Sequence, residues 1–393
     1  MQRSLTLAIL PLAAYETLIW AALFYSFPAL LPVWEADLGW SRGEISGALT
    51  ASMIVTALMS LRMGTLIDRG HAEKMLLGAT VLGAFCLVAL SQVQALWQFW
   101  AVWIVIGLVN ACVLYEACFA IITVTVGSRA KQAITVVTLM AGFAGTVSFP
   151  AFHLLTEAYG WRGAVLIFAG IVVVACLPLA AIGLRRIEGF RETLEDVDSR
   201  KTLTRRTILA RPAFWWIAIG FSAIGLVHGM VISHIRTILA DAGLALAMTV
   251  VVASMIGPMQ VLGRLIMVSV QRWVDTFGAA LGAFVGVLLG ITALISSDMI
   301  PILAFAFVVP YGAAYGVFSI VRPVLAAQFL GREGFGTIAG MLALPYVLAG
   351  ALGPMLAAWM WGLAGYDIVL GLSLGLTGFA LFALTSARRA SMA

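Results

Sequence analysis

Long apolar runs separated by short polar links recur along the whole chain. Twelve of them are long enough to cross a bilayer, which takes about 20 residues of helix. They cover 8–33, 44–63, 75–94, 98–126, 132–156, 163–184, 213–236, 246–269, 278–296, 301–328, 335–361 and 366–386. Inside hydrocarbon the backbone must satisfy its own hydrogen bonds, so each run is expected to be helical. The pattern predicts an all-α membrane protein.

The runs fall into two similar sets. A shift of roughly 203–205 positions carries Asp37 and Gly39 onto Asp241 and Gly243, Arg129 onto Arg332, Pro150 onto Pro354 and Gly160 onto Gly365. Two six-helix bundles related by pseudo-symmetry, at 1–184 and 212–393, are expected around a central cavity. Such a duplication suits a transporter whose halves rock about a shared site. Residues 185–211 interrupt the pattern with eight basic and five acidic side chains. They read as a cytoplasmic linker, in part a surface helix, with contact to lipid headgroups as its functional alternative.

Composition agrees with the pattern: 62% of residues are hydrophobic and only 10% charged, far from a soluble domain. Charge placement sets the topology. Of the 23 Lys and Arg, only Arg42, Arg162 and Arg236 fall on the outer side if the N-terminus is inside, and Arg322 lies within a span. The positive-inside rule therefore puts both termini in the cytoplasm of a multi-pass protein of the plasma membrane, a bacterial inner membrane. The net charge of +5 follows from this topology, and no nucleic-acid partner is expected. The first apolar run is too long for a cleaved signal and carries Glu16, so it reads as a retained span. Cys86, Cys112, Cys118 and Cys176 all sit in spans, without metal-ligand spacing. Ten tryptophans near span ends, among them Trp34, Trp97, Trp273 and Trp361, suit interfacial anchors.

The link between spans 2 and 3 reads Gly64-Thr65-Leu66-Ile67-Asp68-Arg69-Gly70, with Lys74 beyond. With twelve spans and a six-plus-six repeat, this resembles the signature of the major facilitator superfamily over the whole chain. The second glycine comes one place early, and the following basic pair is reduced to Lys74. The second-half counterpart, Gly263-Arg264 to Gln271-Arg272, is degraded. A carboxylate at Asp68 is suited to cap a neighbouring helix N-terminus and Arg69 to bridge nearby acids. The resemblance implies that Gly64, Asp68 and Arg69 form a conformational latch stabilising the outward-open form, and that spans 1, 4, 7 and 10 line the cavity.

Ionisable groups deep in spans fall on those helices: Glu16, Glu116, His228 and Arg322. Each costs at least about 2.5–3.5 kcal/mol to bury, and a shared aqueous cavity would account for them. Arg322, in Ser319-Ile320-Val321-Arg322-Pro323, offers a planar fork to a carboxylate or phosphate; an ion pair with Glu116 or snorkelling to headgroups is the structural alternative. Glu116 and Glu16 are candidate proton carriers, Glu16 being near enough the inner end to reach water instead, and His228 is a third. Tyr25, Asn110, Tyr115, Gln260, Tyr311, Tyr315 and Tyr346 are candidates to shape the substrate pocket.

No nucleotide loop, dinucleotide pattern or metal cluster is present, so an enzyme is not expected, no cofactor is implied, and a gradient must supply energy. Tyr25-Ser26-Phe27-Pro28-Ala29-Leu30-Leu31-Pro32, then Asp37-Leu38-Gly39-Trp40-Ser41-Arg42, resembles bacterial relatives of the monocarboxylate and oxalate/formate carriers. That family's acid-glycine opening in span 1 and its acid-arginine pair in span 8 are missing. The expectation is a monomeric secondary active transporter moving a small organic anion with protons by alternating access. The alternative is a proton-driven efflux antiporter of drugs or metabolites, which the acids would suit and Arg322 would oppose.

Overall fold

The computed structural model describes residues 4–192, 205–298, 300 and 302–392. The described residues are helical almost throughout, with short links. Two compact units emerge. One comprises Met1–Thr202 with Arg332–Leu344; the other comprises Leu203–Gly331 with Pro345–Ala393. Residues 193–204 of the expected linker lie outside the described residues, and so does most of its expected surface helix.

Among the described residues nine segments are long and apolar enough to cross a membrane, where twelve separate spans were expected. The difference lies in how helices are joined. The expected spans 98–126, 132–156 and 163–184 lie within one 93-residue apolar segment, Leu96–Glu188. The first two are joined by the 3-10 turn Gly127–Arg129 and the last two at Gly160, which turns the chain with φ 69°. The expected spans 335–361 and 366–386 share the segment Phe335–Met392, broken at Ala364 and Gly365. A glycine at positive φ reverses the chain without a loop. Large apolar side chains lie exposed on many faces, including Val174 (77%), Phe85 (66%) and Leu154 (63%). Their abundance fits a lipid environment.

In the first unit three expected spans are broken partway. Span 1 divides into Leu5–Leu23 and Ser26–Leu38 at Phe24-Tyr25. Span 4 divides into Leu96–Val113 and Tyr115–Val126 at Leu114, which is extended (φ −85°, ψ −176°). Span 5 divides into Ala130–Ala141 and a helix from Ala144. Small residues bring neighbours into backbone contact. A Cβ on Gly107 would lie 2.3 Å from the Ser52 carbonyl, and Thr56 Oγ1 donates to Gly107 O at 2.8 Å. Ser41 opens the Arg42–Asp68 helix with a capping box to Glu44. Trp34, Phe27, Phe99 and Trp103 form a fully buried edge-to-face cluster.

In the second unit the counterparts of spans 1 and 4, Pro212–Asp241 and Leu303–Leu330, run without interruption. The Leu246–Val270 and Leu303–Leu330 helices cross at glycines: a Cβ on Gly316 would sit 2.0 Å from Gln260 O, and one on Gly263 would sit 2.2 Å from Ala313 O. Arg264, which the charge count places on the inner side, is buried (5% exposed) against this crossing, its Nε 3.4 Å from Gly316 O. The repeat also has a conformational signature. Gly39 and Gly243, and Gly160 and Gly365, are all left-handed (φ 69°, 84°, 69° and 73°).

Candidate functional site

Glu16 occupies the core of the first unit. It is 0% exposed, and neither carboxylate oxygen has a hydrogen-bond partner. The alternative that it reaches water is overturned: Tyr15, Cys118 and Trp20 surround it. Trp20, one turn along the same face, stacks near Tyr115 (4.8 Å), which lies parallel to Phe119 (4.8 Å, 17°). Tyr25, at the break in span 1, meets Phe24 and Phe149 edge-on. Asn110 is buried, and its Oδ1 lacks a partner.

The break at Leu114 determines where Glu116 lies. It places Glu116 in the first turn of the Tyr115–Val126 helix, at the positive end of a helix dipole. Glu116 lines a narrow crevice with Ser60, Gly64 and Gly340. The crevice floor is a glycine contact: a Cβ on Gly64 would be 1.9 Å from Gly336 O. Beside it Asp68 accepts from the backbone of the helix that begins at Phe335, Oδ1 from Gly336 N at 2.7 Å and Oδ2 from Thr337 N at 2.6 Å. Both are among the first N–H groups of that helix, which have no intrahelical acceptor. Arg69 terminates the Arg42–Asp68 helix and is exposed.

A second charged cluster adjoins Asp68. Glu192 accepts from Ser128 N at 2.8 Å and from Ser128 Oγ, and pairs with Arg332 Nη1 at 2.9 Å. Its own N–H donates to Thr125 O at 3.1 Å. These bonds, from the Ser128 hydroxyl first and its N–H next, with Arg332 adding, hold the Glu192 carboxyl below the usual carboxylate range. Gly127 (φ 57°) makes room: a Cβ there would lie 2.1 Å from Glu192 Oε2. Asp68, Thr123, Glu192 and Arg332 line a cavity of about 140 Å³. Sequence reasoning missed this cluster, because its members lie in three separate links.

In the second unit five expected residues come together. Tyr311, Tyr315 and Arg322 are four and seven residues apart, which puts them within about 40° on one helical face. Tyr315 packs on His228 (4.1 Å between rings) and on Tyr311 (4.7 Å), and its hydroxyl donates to Ile224 O at 3.1 Å. Tyr311 Oη lies 3.4 Å from His228 Nδ1. The Arg322 guanidinium sits 4.1 Å over the Tyr346 ring, and Tyr346 lies against the small surface of Gly225. Arg322 is half-buried. Gln260 is half-buried at the glycine crossing. The arrangement presents a fixed positive group backed by a π face, with tyrosines and a histidine along the same stripe.

The sequence profile of the Major Facilitator Superfamily matches residues 13–354. No curated protein matches by sequence. Among solved structures, the human organic anion transporter MFSD10 (TETRAN) superposes with a TM-score of 0.70 at 16% identity, covering 97% of this chain and 100% of that one. The proton:xylose symporter XylE bound to 6-bromo-6-deoxy-D-glucose superposes with a TM-score of 0.73 at 12% identity, covering 97% and 95%. At such identities the likeness is one of fold.

Proposed function

The chain belongs to the major facilitator superfamily, and on that premise we propose that it carries a small organic anion, monocarboxylate-like, together with protons. The family makes it a multi-pass secondary transporter and not an enzyme. The reading takes the nine apolar segments as twelve crossings, with Leu96–Glu188 contributing three and Phe335–Met392 two. Both termini face the cytoplasm, and a single copy works in a bacterial inner membrane.

The observation that carries the anion reading is Arg322 over Tyr346. A guanidinium keeps its charge at every physiological pH. Stacking on a ring, worth about 0.5–2 kcal/mol, holds in place a planar fork of the shape that pairs with a carboxylate. Tyr311, Tyr315 and Gln260 on the second unit, and Tyr25, Tyr115 and Asn110 on the first, are the candidate substrate contacts. Glu116 and Glu16 carry protons, with His228 between two tyrosines as a relay. Pro323 removes a helical donor one residue beyond Arg322, which lets the helix yield as the site opens. Of the fold-mates, one is named an organic anion transporter, which agrees with the cargo proposed, and the other a proton:xylose symporter, which agrees with the proton coupling but carries a sugar.

The latch reading rests on Asp68, with Gly64 allowing the approach and Arg69 at the surface beside it. Asp68 bonds to two N–H groups at a helix start, so the contact is both charge-assisted and geometrically demanding.

Small carboxylates should raise the melting temperature of the purified protein, through binding to the native state, while neutral analogues of the same size leave it unchanged. The same shift in Arg322→Ala would refute the assignment. A second reading, efflux of an amphipathic cation, is favoured by Glu16, whose unpartnered carboxyl lies beside Trp20. A melting shift with aromatic cations that disappears in Glu16→Gln would support it.

A further inference from the structure

We propose that His234 is a proton-binding site whose occupancy ties three segments of the second unit together. His234 lies near the end of the Pro212–Asp241 helix and is half-buried. Its Nδ1 is 3.0 Å from Tyr366 Oη, and its Nε2 is 3.1 Å from Pro354 O. Tyr366 Oη is 2.7 Å from Thr237 Oγ1, and Thr237 Oγ1 is 2.7 Å from the His234 carbonyl.

The hydrogens can be counted. Four short contacts join these groups, and each needs one hydrogen. The two carbonyls supply none, so the Pro354 contact requires Nε2–H and the contact within the helix requires the Thr237 hydroxyl hydrogen. The Tyr366 hydrogen then has one remaining place, on Thr237 Oγ1, and the Nδ1 contact needs a hydrogen of its own. A neutral imidazole carries one N–H, which leaves one contact with two facing lone pairs. An imidazolium carries two, and all four contacts close.

The contacts join the Pro212–Asp241 helix, the stretch around Pro354 and the helix just beyond the Ala364-Gly365 break. Tyr366 is buried and packs against Trp361 as well. Among the described residues, Tyr366 is the titratable side chain in contact with the ring. The helix bearing Pro354 presents a carbonyl, and the Pro212–Asp241 helix presents the Thr237 hydroxyl. Asp241 and Asp367, the acids on these two helices, are exposed. Thr237 is exposed too and lies beyond the apolar stretch Pro212–Ile235, which gives the cluster a side open to water. By the topology proposed above, this end faces the outer solution. Binding a proton would therefore fasten the second unit's outer end in response to external acidity. Only the side it faces rests on the transport reading; the hydrogen count does not.

The test uses the full-length protein in lipid nanodiscs with ¹⁵N-labelled histidine rings. The protein has four histidines, and the His234 signals are those lost in His234→Asn. The ring is expected to carry hydrogen on both nitrogens, as the four contacts require. Tyr366→Phe and Thr237→Val each remove two contacts but only one hydrogen, so a neutral ring closes the two contacts that remain. Each should therefore lower the ratio of doubly protonated to neutral ring by about fivefold at the same pH. Thr237→Val is the sharper probe, because it never touches a ring nitrogen. A neutral His234 of one tautomer, unchanged in both variants, would overturn the proposal. So would a response to Tyr366→Phe without one to Thr237→Val.

Discussion

Asp68 holds the start of the helix at Phe335 with both carboxylate oxygens, one on Gly336 N and one on Thr337 N. The two residues flank a glycine contact so close that neither Gly64 nor Gly336 has room for a methyl group. The carboxylate and the glycines thus form one device. It holds a helix end by charge and hydrogen bonds, at a distance only bare backbone permits.

Asp68→Asn keeps one acceptor and loses the charge, and should cost about 1 kcal/mol. Asp68→Ala leaves two N–H groups without their partner and should cost about 2–4 kcal/mol. The difference is measurable as two graded drops in melting temperature of the purified protein.

Gly64→Ala should be worse than Asp68→Asn, although it adds only a methyl group. The added carbon meets a backbone carbonyl, which cannot rotate away as a side chain can. Transport and thermal stability should fall together. A variant melting like the parent would mean that the two backbones separate freely.

The Glu192 clamp should depend on pH in one direction. Ser128 and Arg332 stabilise its charged form, so the folded protein binds that proton less readily than the unfolded chain. The contribution is then fully present above the unfolded carboxylate value of about 4.3 and is lost as pH falls through the lower folded value. The melting difference between the parent and Glu192→Gln should be constant at neutral pH and shrink under acid conditions. A difference that grew on acidification would reverse the assignment.

Much of this arrangement was legible in the sequence, and the exceptions have physical causes. Apolar length alone marked the membrane segments, because hydrocarbon thickness sets a minimum. The repeat was legible through Gly39, Gly160 and their partners, whose left-handed conformations few other residues tolerate. Tyr311, Tyr315 and Arg322 were each legible in the sequence as candidates, but their common helical face emerged only in the structure. The break at Leu114 was not legible, since Val113-Leu114-Tyr115 contains no glycine or proline. Nor was the Glu192–Arg332 pair, whose members are 140 residues apart in sequence. Glu16 was read as near water because distance along a helix says nothing about what packs over it.

Arg322→Lys separates charge from shape. Lysine keeps the positive charge but loses the planar fork and most of the stacking on Tyr346. Carboxylate affinity should weaken in Arg322→Lys and fall further in Arg322→Ala, by about 2 kcal/mol or more, roughly thirtyfold. Equal losses in the two variants would show that the guanidinium geometry is irrelevant.

The central claim, that Arg322 binds the substrate while Glu116 and Glu16 carry protons, is tested most directly by uptake into proteoliposomes. A labelled small monocarboxylate is offered with an inward proton gradient, to the parent, Arg322→Ala and Glu116→Gln. The account predicts gradient-driven accumulation by the parent, none by Arg322→Ala, and in Glu116→Gln exchange that no longer follows the gradient. Accumulation by Arg322→Ala equal to the parent's would contradict it.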